Sequence, residues 1–187
     1  LRGLQNATFS KLTFKQNVTS AVYQAHVIFG DYISGSNISN IKFLNCSVLS
    51  NTITNNGFNI VSVNNLQNFE IRNCLVAGGS VGLGMSSITS TLSTINIEDN
   101  IFSNQNNYGI SIGSINGTTI IDNNTIKKVG LINGYGIICN NANKLTVTKN
   151  KISLSNGTGV YITGGVLTLY NNFIYIIQCI YYEIFLL

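Results

Sequence analysis

Apolar residues along this chain alternate with polar ones in short bursts, and each burst stops at an asparagine or cysteine. The unit is apolar-x-apolar-x-polar-Asn. It recurs as "LTFKQN" (12–17), "IKFLNC" (41–46), "FEIRNC" (69–74), "INIEDN" (95–100), "TIIDNN" (119–124), "LTVTKN" (145–150) and "LTLYNN" (167–172). A second motif follows each of the first six: "HVIF" (26–29), "GFNI" (57–60), "GLGM" (82–85), "GISI" (109–112), "GIIC" (136–139) and "GVYI" (159–162). Strict alternation over four to six residues is a strand signal, and these runs are too short and too broken for helices.

A repeat of two to three dozen residues that holds about three short strands predicts a solenoid. Each coil stacks its inward apolar residues on the next and climbs one strand spacing, about 4.8 Å. Seven coils would rise about 34 Å on that spacing. Variable spacing between motifs puts the variable residues in loops. The expected organisation is one domain over 1–187. Residues 1–11 form a partial coil or cap, 12–172 carry the seven repeat starts, and 173–187 form an apolar cap or truncated coil.

The closing residue of each motif defines an expected internal file: Asn17, Cys46, Cys74, Asn100, Asn124, Asn150 and Asn172. Asn tolerates the left-handed backbone of a sharp turn. Pointing inward, its amide needs partners, and stacked amides supply them to one another. Cys46 and Cys74 replace Asn in neighbouring coils together. A lone Cys is expected to strand an amide on each side, so the pair keeps the dry patch contiguous. The remaining cysteines, 139 and 179, stand apart. No Cys-x-x-Cys spacing suggests zinc or a disulfide framework, and buried free thiols are the expectation.

These motifs resemble the right-handed parallel β-helix repeats of the pectin-lyase-like superfamily, and among them the Asn-rich NosD-like repeats. The resemblance implies an all-β, right-handed, single-stranded parallel β-helix of about seven coils with an internal Asn ladder. It implies that the strand before the Asn belongs to the second sheet and the "GVYI" group to the first. In enzymes of that fold, substrate lies along the outer face of the first sheet.

The outward column there reads Ile28, Asn59, Gly84, Ser111, Ile138 and Tyr161, with no charge. A calcium-dependent lyase needs clustered carboxylates and a cationic base, and a hydrolase of the polygalacturonase kind needs several Asp. Its Asn-Thr-Asp, Asp-Asp, Gly-His-Gly and Arg-Ile-Lys motifs are absent from the chain. Asn59, Ser111 and Tyr161 remain as candidates for weak glycan binding. On the second sheet, Arg72, Glu98 and Asp122 fall side by side. The sharp reading is a carboxylate pair one strand spacing apart. The bland one, preferred here, is a solvated ladder in which Arg72 offsets both acids.

Composition narrows the class. Only 9% of residues are charged, against about a quarter in ordinary domains, while Asn, Ser and Thr number 29, 18 and 16. The surface is therefore amide-rich and neutral. A net charge of +4 does not make the basic footprint of a nucleic-acid binder. No stretch is long and apolar enough for a membrane span. Copper, associated with NosD-like proteins, wants His, Met and Cys together. His26, Met85 and Cys139 fall on separate coils, so no cofactor is expected.

Seven Asn-x-Ser/Thr sequons occur, about the number chance gives, and Asn37, Asn116 and Asn156 are the loop positions open to a glycan. The chain begins mid-pattern and reads as a fragment or processed product. The expectation is a non-catalytic extracellular or cell-surface scaffold, adhesin or filament component, with end-to-end self-association through its open edge. The alternative is a fragment of a carbohydrate-active lyase, hydrolase or epimerase whose catalytic residues lie outside this chain.

Overall fold

The computed structural model describes residues 4–16, 24–30, 38–50, 57–63, 66–86, 88, 91–129, 134–154 and 157–176. Among the described residues twenty strands follow in order: β1 (Gln5–Ser10), β2 (Thr13–Gln16), β3 (Gln24–Gly30), β4 (Ile38–Leu44), β5 (Ser47–Ser50), β6 (Gly57–Val63) and β7 (Leu66–Arg72). Then come β8 (Leu75–Ala77), β9 (Val81–Ser86), β10 (Thr94–Glu98), β11 (Ile101–Ser103), β12 (Tyr108–Ile112), β13 (Ile115–Asp122) and β14 (Thr125–Val129). The last are β15 (Tyr135–Asn140), β16 (Ala142–Thr148), β17 (Lys151–Leu154), β18 (Thr158–Thr163), β19 (Val166–Tyr170) and β20 (Phe173–Ile176).

Every third strand pairs in parallel. Sheet A runs β1-β4-β7-β10-β13-β16-β19, sheet B β2-β5-β8-β11-β14-β17-β20, and sheet C β18-β15-β12-β9-β6-β3. This is an all-β parallel solenoid, and no helix occurs among the described residues. Inward residues stack file on file. Ile41, Phe69, Ile95, Thr119 and Leu145 form one column, and Phe43, Ile71, Ile97, Ile121 and Val147 another, all at most 2% exposed. Each apolar side chain among them gains about 1.5–3 kcal/mol from leaving water. At the N-terminal end the stack turns aromatic, with Phe9 on Phe43 at 4.9 Å and Phe43 on Phe69 at 6.1 Å between ring centroids.

The corner between sheets A and B is a two-residue device. The left-handed residue is the fifth of each motif: Lys11, Asn45, Asn73, Asp99, Asn123, Lys149 and Asn171, with φ between 53° and 58°. It is not the sixth residue, the place expected from the alternation alone. The left-handed step turns the chain, and the sixth residue then points inward as the ladder. Asn100 shows the pattern. Its backbone N–H and its Nδ2 both donate to Asn124 Oδ1 at 3.0 Å, and Nδ2 also donates to the Ile71 carbonyl at 2.9 Å. Asn124 does the same to Asn150, and Asn150 to Asn172.

The first repeat is in a different register from the one expected. Phe9 pairs with Phe43 and Thr13 with Ser47. The first motif is therefore "ATFSKL" (7–12), and Leu12, not Asn17, stands in line with Cys46. Asn17 lies outside the described residues. The decoy "LTFKQN" has the right alternation and a closing Asn, but Thr13–Gln16 belongs to sheet B.

Sheet C has its own rule. Two successive residues face inward on each rung, such as Gly109 and Ile110. A Cβ on Gly109 would sit 2.7 Å from the Gly136 carbonyl oxygen and 2.8 Å from Ile126 Cγ2. Glycine is kept there because the next rung's backbone occupies the space. The register also slips in one motif. Ile60 pairs with Leu83 and Val61 with Gly84, so Asn59 takes the inward place of Gly82 instead of joining the outward column. It is fully buried, and its Nδ2 donates to the Gly78 carbonyl at 2.8 Å.

Candidate functional site

Two outer faces carry the residues singled out from the sequence. On sheet A, register pairing sets Lys42 beside Glu70, and Arg72 beside Glu98 beside Asp122. Glu98 and Asp122 therefore lie one strand apart, about 4.8 Å. They do not share one cation. Arg72 Nη2 bridges Glu98 Oε2 at 2.6 Å and Glu70 Oε1 at 3.5 Å, and Lys42 Nζ closes on Glu70 Oε2 at 3.0 Å. Asp122 is held from the next rung instead: Thr148 donates its hydroxyl to Oδ1, and Lys149 Nζ stands 3.4 Å from Oδ2.

The expectation that Arg72 offsets both acids is thus corrected. Two separate networks divide the pair, because Lys149 is the left-handed residue of its corner and its side chain swings back over Asp122. Glu98, beside the guanidinium, raises the Arg72 pKa above its ordinary value, with Glu70 and Asp99 adding to it. Each acid already accepts from a fixed cation, and the face is open sheet. A glycosidase sets its two carboxyls about a buried bond, whereas Glu98 and Asp122 stand on an open sheet face, each already paired with a cation.

On sheet C the six strands read QAHVIFG, GFNIVSV, VGLGMS, YGISI, YGIICN and TGVYIT, with no Asp, Glu, Lys or Arg. The outward column aligns Gly84, Ser111, Ile138 and Tyr161. Ser111 and Tyr161 are half-buried on it, and Asn59 is absent from it for the reason given above. Two further tyrosines join. Tyr108 pairs in register with Tyr135, their rings 5.7 Å apart, and Tyr135 meets Tyr161 edge-on at 5.6 Å. Beside them Thr163 donates its hydroxyl to Asn140 Oδ1 at 3.1 Å. The tyrosine file was legible as the recurring "Y-G-I" of 108–110 and 135–137.

Buried groups elsewhere are structural. Burial pushes the Cys74 thiol up to about 11 and the Cys139 thiol further still. Cys46, Cys74 and Cys139 are free thiols. Among the sequon positions, Asn116 is exposed but stands in β13, at a register shift of the sheet, and not in a loop. Asn37 and Asn156 lie outside the described residues. Among the described residues no group of three or more His, Cys, Asp or Glu side chains could hold a metal ion, and no helix is long and apolar enough to cross a membrane.

Neither a curated protein nor a solved structure matches the chain significantly. The family model described as a right-handed β-helix region matches residues 1–174, nearly the whole chain. The strand order shows the coiling, successive coils laying strands on three parallel sheets in turn. The chain belongs to the right-handed β-helix family.

Proposed function

We propose that this protein is a non-catalytic scaffold of the cell surface or extracellular space that holds neutral glycans against the outer face of sheet C. The observation that carries the reading is the conjunction on that face: three contacting tyrosines in a run of strands without Asp, Glu, Lys or Arg. A sugar ring has an apolar C–H face that packs on a tyrosine ring, while its hydroxyls exchange hydrogen bonds with Ser111, Asn140, Thr163 and the phenols. Anionic polymers would find no cation there to neutralise them.

The solenoid suits such a role because its stacked coils fix the tyrosines on backbone that cannot move independently. The last described rung leaves Val166, Leu169, Phe173 and Ile174 between 40% and 69% exposed. We include end-to-end stacking of copies through these exposed apolar side chains in the reading, because a parallel strand edge favours a further rung. A strict monomer by sedimentation at high concentration would remove that part.

The test is calorimetric titration with neutral and uronic-acid oligosaccharides. Neutral sugars are expected to bind with millimolar to high-micromolar affinity. Tyr135→Ala, which breaks both ring contacts, should weaken binding at least tenfold. Cleavage of any uronic-acid polymer that vanishes in Glu98→Gln or Asp122→Asn would overturn the non-catalytic reading.

A further inference from the structure

A second row of asparagines runs along the outside of the solenoid. Asn6, Asn40 and Asn68 are left-handed at φ 55°, 55° and 56° and sit where the first three strands of sheet A bend. Asn40 Nδ2 donates to Asn6 Oδ1 at 2.7 Å, and Asn68 Nδ2 to Asn40 Oδ1 at 3.0 Å. The row ends where the Thr94 backbone N–H donates to Asn68 Oδ1 at 3.2 Å. Asn40 and Asn68 are exposed.

Over this row lies a groove of about 290 Å³, with Asn40, Asn68 and Thr94 on one side and Lys42, Glu70 and Asn96 on the other. An amide has two N–H hydrogens and two carbonyl lone pairs. Among the described residues, the row uses one of each on Asn40 and Asn68. Asn40 and Asn68 then each present one further donor and one further acceptor, one strand spacing of about 4.8 Å apart. The Oδ1 of Asn96, on the opposite side, is shut from solvent and has no hydrogen-bond partner among the described residues.

We propose that this groove is a saccharide-binding site, separate from the tyrosine face, that takes a short neutral oligosaccharide lying along the solenoid axis. The chemistry favours hydroxyls because each is donor and acceptor at once, as each amide is. The groove's charges are spent on one another. Lys42, Glu70 and Arg72 form one chain of ion pairs, so an ionic ligand would have to displace an existing partner. An extended peptide would need pockets for alternate side chains. The apolar residues beneath the groove, Ile41 and Phe69, are at most 1% exposed and offer none.

The two saccharide sites can fail separately, because one is read from asparagine side chains and the other from tyrosine rings. The test is nuclear magnetic resonance of the whole chain titrated with cellotetraose, tetragalacturonate and a neutral Gly-Ser peptide. Cellotetraose should shift the side-chain amides of Asn40, Asn68 and Asn96. Tetragalacturonate and the peptide should leave them in place. Asn68→Gly keeps the left-handed backbone open to glycine while deleting the floor amide, and should weaken the response at least tenfold. Asn96→Ile copies the register neighbour Ile120, so it keeps a strand-compatible wall, and it should weaken the response severalfold. Tyr135→Ala should not alter it. Still amides under millimolar cellotetraose, equal shifts with the peptide, a preference for the uronate, or an undiminished response in folded Asn68→Gly would each overturn the proposal.

Discussion

From Asn100 to Asn172 the inner corner of the solenoid is a file of amides, whereas from Leu12 to Cys74 the same corner is leucine and thiol. The amides and the thiols serve the same backbone groups. Each amide donates to the carbonyl of an inward residue one rung back: Asn100 to Ile71, Asn124 to Ile97, Asn150 to Ile121 and Asn172 to Val147. Cys74 offers its S–H to the corresponding Phe43 carbonyl at 3.5 Å, and Cys46 to that of Phe9 at 3.4 Å. The acceptor role carries over too, since Cys46 N–H points to Cys74 Sγ at 3.3 Å. A thiol is a weak copy of the amide in both directions. It needs no matching cysteine, because Asn100 Oδ1 accepts the Cys74 N–H at 2.9 Å across the junction. On that side of the cysteine pair no amide is stranded.

The sharpest way to break this contrast is to remove an amide from the middle of the file. Asn124 accepts two hydrogen bonds on Oδ1 and donates to Ile97, Asp122 and Asn150. Asn124→Ala leaves the Asn100 N–H and Nδ2 groups and the Ile97 carbonyl short of partners in a dry corner. Each stranded buried group costs about 1–3 kcal/mol, and part is recovered by relaxation. A loss of about 3–5 kcal/mol is expected in chemical denaturation, with Asn124→Asp intermediate because it keeps the acceptor.

Cys74→Ala should cost less, about 1–2 kcal/mol, from lost packing and weak bonds. A larger loss than for Asn124→Ala would mean that the thiols, not the amides, secure the corner. The same thiols give a pH test. Burial raises Cys74 from 9.0 to about 11, so the folded state keeps its proton where the unfolded chain has shed it. Stability is fully present below pH 9 and falls as pH rises through 11. The denaturation midpoint of the wild type should drop across that window more steeply than that of a Cys74→Ala, Cys139→Val double variant. Equal slopes would sink this account.

Much of this was legible along the chain because a parallel solenoid repeats its register in sequence. The in–out parity of sheet A, the order of Lys42, Glu70, Arg72 and Glu98, and the file from Cys46 to Asn172 follow from motif spacing. Three things were hidden. "LTFKQN" imitates the motif better than "ATFSKL" does, so the first rung slipped. A slip of two residues at Asn59 keeps a period-2 pattern intact, and only the second inward residue of sheet C betrays it. Asn at two successive positions, as at 123 and 124, does not say which turns the chain and which points in. The outer amide row had a signal, an Asn just before the alternation at 6, 40 and 68. It fades after β7 because Thr94 takes that place with its backbone N–H.

The outer face of sheet A supplies the smallest effect and the counterpart to the buried corner. Arg72 bridges Glu70 and Glu98, yet its side chain is 42% exposed, so water and salt screen what the geometry gathers. Exposed pairs contribute about 0–1 kcal/mol each, and Arg72→Gln keeps some hydrogen bonding to both acids. A loss below about 1 kcal/mol is expected. It should shrink further as ionic strength rises, since the screening length falls to about 3 Å at 1 M salt. The loss in Asn124→Ala should not respond to salt, because its partners are carbonyls and amides shut away from ions. If Arg72→Gln proved as costly as Asn124→Ala and insensitive to salt, the charges would be structural members of the rod. The division of labour between a neutral interior file and a screened outer ladder would then be wrong.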